Sequence, residues 1–260
     1  MNGPGGSRVV GGLGALAVGF LALPLLALLL RVPWSRVGEI LGSGAAREAL
    51  WVSAQVSVAA LVLSLIFGVP LAWLLARFRF PGRRVVRSLA TLPMVLPPVV
   101  GGVALLLAFG RRGLVGGPLE SFAGVTIPFT GWAAILAATF VSMPFLVTTV
   151  EAGFAGMDAR LEEAASTLGA GRWRTFIRVV VPMVAPSLGA GMAMSWARAL
   201  GEFGATITFA GNIPGATQTM PLAVYLQLEQ DPEVAYLLSS VLLAVSLLVL
   251  GLTFVGRSGR

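Results

Sequence analysis

Six long apolar runs, separated by short stretches that hold most of the charge, dominate this chain. A membrane-crossing helix needs about 20 mostly apolar residues. The runs at roughly 9–30, 49–76, 88–110, 131–154, 183–209 and 233–256 each meet that length. The pattern predicts an all-α integral membrane protein: six transmembrane helices forming one domain over 1–260, with a core from about 49 to 256. The first run is uncharged from Val9 to Leu30. A secretory signal has an apolar core of only about 7–15 residues, so a span is expected here instead.

The runs are not uniform rods. Pro70, Pro144 and Pro186 interrupt three of them, and Pro93, Pro97 and Pro98 cluster in the third. Each proline removes a backbone hydrogen bond. Membrane helices tolerate this where neighbours or a wet cavity satisfy the freed groups. A bundle with a translocation path has use for such breaks, although membrane helices carry more proline and glycine in any case. Glycine occurs 33 times, and small residues let helices approach closely in lipid.

Composition supports the membrane reading and removes several chemistries. Only 11% of residues are charged, against about 25% in soluble domains. There is no Cys and no His. That excludes disulfides, thiolate nucleophiles and cysteine or histidine metal sites, and it removes the commonest general base. All 18 basic residues are Arg. Without Lys the chain cannot form a GxxxxGK[ST] phosphate loop. If a nucleotide drives it, another polypeptide must bind that nucleotide.

The net charge of +7 does not point to nucleic acid, because the arginines sit in short loops between apolar runs. With the N-terminus inside, twelve arginines fall in inner segments and five in outer ones, while Arg198 lies within a run. Positive charge favours the cytoplasmic side, so both termini are expected to be cytoplasmic. The segment 210–231 has no basic residue, which fits an outside loop.

One inner loop, 155–182, is too polar to span and too patterned to be a plain connector. Asp158 suits an N-cap. Glu162 and Glu163 follow, near the positive end of a helix dipole. Leu161, Ala164, Ala165 and Leu168 fall at i, i+3, i+4 and i+7, one slim apolar stripe. Gly169 suits the C′ stop. This predicts a helix over about 159–168. So short a helix is marginal alone in water. Either the stripe folds back on its own protein, or a partner covers it in helix-in-groove fashion. Beyond it, Trp173, Phe176 and Ile177 are expected to face acyl chains, with Arg172, Arg174 and Arg178 at headgroups.

This segment resembles the EAA loop of ABC importer permeases. That pattern is E-A-A, three residues, G, nine residues, then I-x-L-P. Here Glu163-Ala164-Ala165, Gly169 and Val179-x-Val181-Pro182 keep the spacing, with Val at both aliphatic positions. Leu96-Pro97-Pro98-Val99-Val100-Gly101-Gly102 and Ala199-Leu200-Gly201-Glu202-Phe203-Gly204-Ala205-Thr206 look like segments of molybdate/tungstate and sulfate permeases.

The resemblance implies a type I ABC importer transmembrane domain with a cytoplasmic coupling helix. Glu163, Ala164, Ala165, Leu168 and Gly169 would dock a separate ATP-binding subunit. ATP and Mg would be bound by that ATPase, with no cofactor and no catalysis in this chain. The implied partners are a second permease copy, forming a homodimer, and an extracytoplasmic substrate-binding protein. The implied setting is a prokaryotic plasma (inner) membrane. The implied cargo is a small oxyanion: molybdate or tungstate, with sulfate or thiosulfate as the alternative.

Arg198 and Glu202 are four apart inside the fifth run, hence on one helical face. A charge at the membrane centre costs about 2.5–3.5 kcal/mol on the insertion scale, so such residues pair or face water. The pair either locks helix packing or lies on the translocation path near a gate, with Thr206 further along. Glu151 reads as a snorkelling or interfacial acid. A proton-coupled carrier is a rival from another class, but Glu202 is the only clear mid-span acid to relay protons.

Overall fold

A computed structural model describes residues 4–158, 160, 161, 165, 167 and 169–255, and the fold is helical. Helix α1 spans Pro4–Arg31, α2 Val37–Gly42, α3 Gly44–Arg77 and α4 Arg83–Thr91. Then follow α5 (Pro98–Phe109), α6 (Gly116–Ala123), α7 (Gly131–Ala155) and α8 (Val181–Leu200). The last three are α9 (Gly204–Phe209), α10 (Met220–Gln230) and α11 (Pro232–Val255). Among the described residues, five helical stretches are long and apolar enough to cross a membrane. The number is six if the bent pair Arg83–Met94 and Pro98–Phe109 counts as one span.

The centre of the bundle is α3, α7 and α8. Its contact surfaces are made of small residues. Ala60, Ala133, Ala134, Ala137 and Ala138 are wholly buried, which lets the backbones approach where water supplies no drive for association. Two helix starts are capped as their sequences suggest. Ser43 Oγ accepts from the Ala46 N–H at 3.3 Å, and Thr130 Oγ1 accepts from the Ala133 N–H at 3.3 Å. Trp196 Nε1 donates to Ser57 Oγ at 3.0 Å, tying α8 to α3. Helix α1 stands outside this core. Leu13, Leu16 and Phe20 are exposed, as a lipid-facing helix requires, and α1 leans on α11.

Arg36 closes one end of the bundle. Its guanidinium lies 2.7 Å from Glu233, 3.2 Å from Glu39 and 3.5 Å from Asp231. This cluster ties the connection after α1 to the start of α11. Hydrogen bonding to Arg36 holds the Glu39 carboxyl below the usual carboxylate range.

The expected third span, 88–110, is not one rod. Helix α4 continues into a 3-10 turn, Leu92–Met94, and then turns by 117° into α5. The cause is Pro97-Pro98. A residue before proline is pushed out of the α region, and Pro97 sits at φ −55°, ψ 132°. The expected fifth span, 183–209, is also corrected. It begins earlier, because the turn Arg172–Thr175 and a π-helical turn, Phe176–Val180, lead into α8. It then ends at Leu200, and Gly201–Phe203 separates it from α9.

The expected outside loop 210–231 is likewise more structured. Met220 N–H donates to Ser53 Oγ at 2.6 Å. Ser53 lies nine residues into α3, roughly 14 Å along its axis at 1.5 Å per residue. The chain after α9 therefore stays beside α3, with Thr217, Gln218 and Thr219 buried, before α10 carries it back to the Arg36 end.

Candidate coupling and translocation sites

The patterned loop after α7 keeps its expected ends. Asp158 Oδ1 accepts from the Arg160 N–H at 3.0 Å, and the Asp158 carbonyl accepts from the Leu161 N–H at 3.2 Å. Gly169 has φ +79° and the Ala170 N–H donates to the Ala165 carbonyl at 3.0 Å. That six-to-one bond around a left-handed residue is the Schellman ending, with Gly169 at C′. Glu163, Ala164 and Leu168 lie outside the described residues. Of the apolar stripe, Ala165 is half-buried, while Leu161 is 47% exposed.

Both flanks of this loop converge on Trp73 of α3. Its ring meets Phe154 edge-on at 4.8 Å and Phe176 edge-on at 5.8 Å. Phe176 is therefore turned into the bundle, contrary to its expected place among acyl chains. It fills the apolar cluster around Leu75, Val150 and Val180. Trp173 and Ile177 are exposed as expected. Glu151 is also reassigned. Its carboxylate accepts from Arg87 of α4, and its side chain is only 12% exposed. An acid this buried at the end of an apolar helix needs a partner, and α4, which packs on α7, supplies Arg87. Nothing local in the sequence announces a pair 64 residues apart.

Arg198 and Glu202 do pair, at 2.7 Å between Nη2 and Oε2. They do not share a continuous helix. Glu202 lies in the break between α8 and α9, 2% exposed, and its Oε1 accepts from the Ala205 N–H at 2.8 Å. The carboxylate thus serves two groups at once: a guanidinium from the end of one helix and a free N–H in the first turn of the next. Thr206 is fully buried in α9 and its hydroxyl has no hydrogen-bond partner among the described residues.

The two backbone breaks brace each other. A Cβ added to Gly204 would lie 2.7 Å from Pro98 Cβ, and one added to Gly102 would lie 2.6 Å from Thr208 Cβ. Helix α5 and helix α9 therefore touch backbone to backbone, which only glycine permits at both points. An open groove of about 800 Å³ lies elsewhere, lined by Thr149, Gly153, Pro186, Ser187, Ala193 and Trp196 among others. Arg198, Glu202 and Thr206 are not in its wall.

A helical bundle with mutually braced breaks, a paired charge beside one of them and a capped polar loop at one end has the anatomy of a membrane transport permease. Residues 68–258 match the family of binding-protein-dependent transport system inner membrane components, and the chain belongs to it. It is 46% identical over 230 residues to the molybdenum transport system permease protein ModB of Mycobacterium tuberculosis, covering 88% of this chain and 87% of that protein. To the sulfate transport system permease protein CysT of Escherichia coli it is 38% identical over 234 residues, covering 88% and 84%. Its fold superposes on a chain of a bacterial alginate ABC transporter with a TM-score of 0.70, at 17% identity and over 95% and 92% of the two chains.

Proposed function

We propose that this chain is the membrane-spanning permease subunit of an ATP-driven importer for a small tetrahedral oxyanion, molybdate or tungstate. The observation that carries the reading is the 46% identity, along nearly the whole chain, to a permease named for molybdenum transport. The sulfate permease relative matches over a similar length at 38%. Sulfate is accordingly the second reading.

In this reading the chain performs no bond chemistry. ATP and Mg sit on a separate ATPase subunit, which supplies the energy; the lack of Lys here supports that division. The ATPase docks on the loop at Glu163, Ala164, Ala165, Leu168 and Gly169. The capped start at Asp158, the Schellman ending at Gly169 and the exposed Leu161 support a short helix that docks a partner. A second copy completes the pathway, and an extracytoplasmic binding protein delivers the anion. Both termini face the cytoplasm of a prokaryotic cell, with the Arg36 end outside. Arg198, Glu202 and Thr206 lie on the path. Arg198 offers positive charge to a passing anion, and Glu202 holds it in place between passages.

The test is uptake into proteoliposomes that hold the permease with its ATPase and receive loaded binding protein. ATP-dependent molybdate accumulation, poorly competed by sulfate, is the expected result. Accumulation driven by a proton gradient without ATP would replace this reading with a secondary carrier. Preferred uptake of sulfate would move the substrate to the second reading.

A further inference from the structure

The loop after α7 is held at both ends by one side chain. Phe154 leads into it and Phe176 leaves it, and both rings stand edge-on to Trp73. Phe154 is 4% exposed, and Met157, one residue before Asp158, is 9% exposed. Arg77, one turn after Trp73, places its guanidinium carbon 5.4 Å above the indole, and its Nη2 lies 3.9 Å from Met157 Sδ. On the far side Trp173 stacks on Phe176, at 6.0 Å and 21°. The chain then passes through the π-helical turn Phe176–Val180. Such turns recur at functional sites, where helix register is adjusted locally.

A second tie leads from the same place into the membrane. Glu151 lies one turn before Phe154 on α7. Its carboxylate accepts from Arg87 Nε at 3.0 Å, and Arg87 Nη2 also reaches the Leu75 carbonyl at 3.5 Å. Arg87 belongs to α4, which runs into the bend at 95–97 and so to Pro98, seated on Gly204. Gly204 adjoins the break that holds Glu202.

We propose that Trp73 is a positioning residue for energy coupling. It clamps both ends of the loop to one point of the bundle. A push on the loop then moves α7 as a unit. The Glu151–Arg87 pair passes that displacement to α4 and the bent third span. With the clamp gone, the loop ends slide past α3, and the push is absorbed locally. The inference rests on the reading that an ATPase docks on this loop, but Trp73 is neither one of the docking residues nor one of the path residues of that reading. A residue that merely packs would, on truncation, lower assembly, ATP hydrolysis and uptake together. A positioning residue separates the last two.

The experiment compares wild type, Trp73→Leu, Trp73→Phe and Phe176→Leu, each purified with its ATPase and reconstituted. Three quantities are read: ATPase subunit retained, ATP hydrolysed and molybdate accumulated. For Trp73→Leu the expected result is full retention, continued hydrolysis and a fall in molybdate per ATP of about tenfold, the factor that about 1.4 kcal/mol of lost coupling free energy represents. Trp73→Phe, which keeps a ring edge-on to both partners, should recover most of that ratio. Where Trp73→Leu does not accumulate, Phe176→Leu reads the same ratio after loss of one ring contact. A wild-type ratio in the Leu variants overturns the proposal, as does a parallel fall of hydrolysis and uptake at constant ratio. Absence of ATP-driven uptake in wild type overturns the docking reading itself, and this proposal with it.

Discussion

Replacing Arg198 tests whether the pair in the fifth span is a lock or a working part. Glu202 is almost wholly buried and has two partners, Arg198 at 2.7 Å and the Ala205 N–H at 2.8 Å. Arg198→Ala leaves the carboxylate with the N–H alone. Breaking a buried pair from one side typically costs about 3–5 kcal/mol, because a charge is stranded. Glu202→Gln is milder. Its amide oxygen still accepts from Ala205, and Arg198, whose side chain is 27% exposed, can turn to water. About 1–3 kcal/mol is expected there. Arg198→Met combined with Glu202→Met strands no charge, and apolar replacement of both partners is often neutral or stabilising.

The three variants separate stability from transport. Thermal unfolding of the purified complex should rank Arg198→Ala as least stable, Glu202→Gln as intermediate and the double Met variant near wild type. ATP-driven uptake should be lost in Arg198→Ala and also in the double Met variant, although the latter folds well. Wild-type uptake in the double Met variant would refute the reasoning. The pair would then be a packing device, and the path would lie elsewhere, with the groove beside Pro186 and Ala193 as the next candidate.

Further outcomes follow from local geometry. Gly204→Ala places a methyl 2.7 Å from Pro98 Cβ, an overpacking that costs about 1–3 kcal/mol; a lowered Tm of the purified complex is expected. Gly169→Ala forces an L-residue to φ +79°, at about 1–2 kcal/mol. Faster hydrogen exchange at Ala170, largely spared in Gly169→Asn, checks it. The Glu39 carboxyl is held low by Arg36. A lowered folded pKa means that the contribution is intact above the ordinary carboxylate value and fades as pH falls through the folded one. Acidification should thus loosen the tie from the α1 connection to α11, seen as a broadened distance distribution between spin labels placed at Gly38 and Pro232, while alkaline pH leaves it unchanged.

Much of this architecture is written in local pattern. Apolar length alone places α3, α7 and α11 within a few residues. The cap at Asp158 and the stop at Gly169 follow from single side chains with strong backbone preferences. Long-range pairing is what local pattern does not carry. Glu151 in isolation looks interfacial, since nothing nearby names Arg87 as its partner. Phe176 sits among arginines and exposed Trp173, so its turn into the bundle becomes visible only once Trp73 is opposite it. The third run reads as a plain span because hydropathy is blind to direction. Its prolines gave the warning, since two in succession at 97 and 98 dictate the extended backbone that makes the bend.

Irregular backbone in a membrane needs its polar groups satisfied from within the protein. The two breaks here meet that demand jointly. Around Gly201–Phe203 the Glu202 N–H donates to the Ala199 carbonyl, and the Ala205 N–H is taken by the Glu202 side chain. Around 95–97 the Val95 N–H donates to Leu92, and two prolines have no N–H to satisfy. Glycine at 102 and 204 then lets α5 and α9 close on each other. The breaks therefore cannot move independently. A shift of the third span that displaces Pro98 must carry Gly204, and Gly204 adjoins the residue that holds Arg198. If the loop after α7 receives a push, as proposed above, that mechanical bond is the route by which it would reach a charge deep in the bundle.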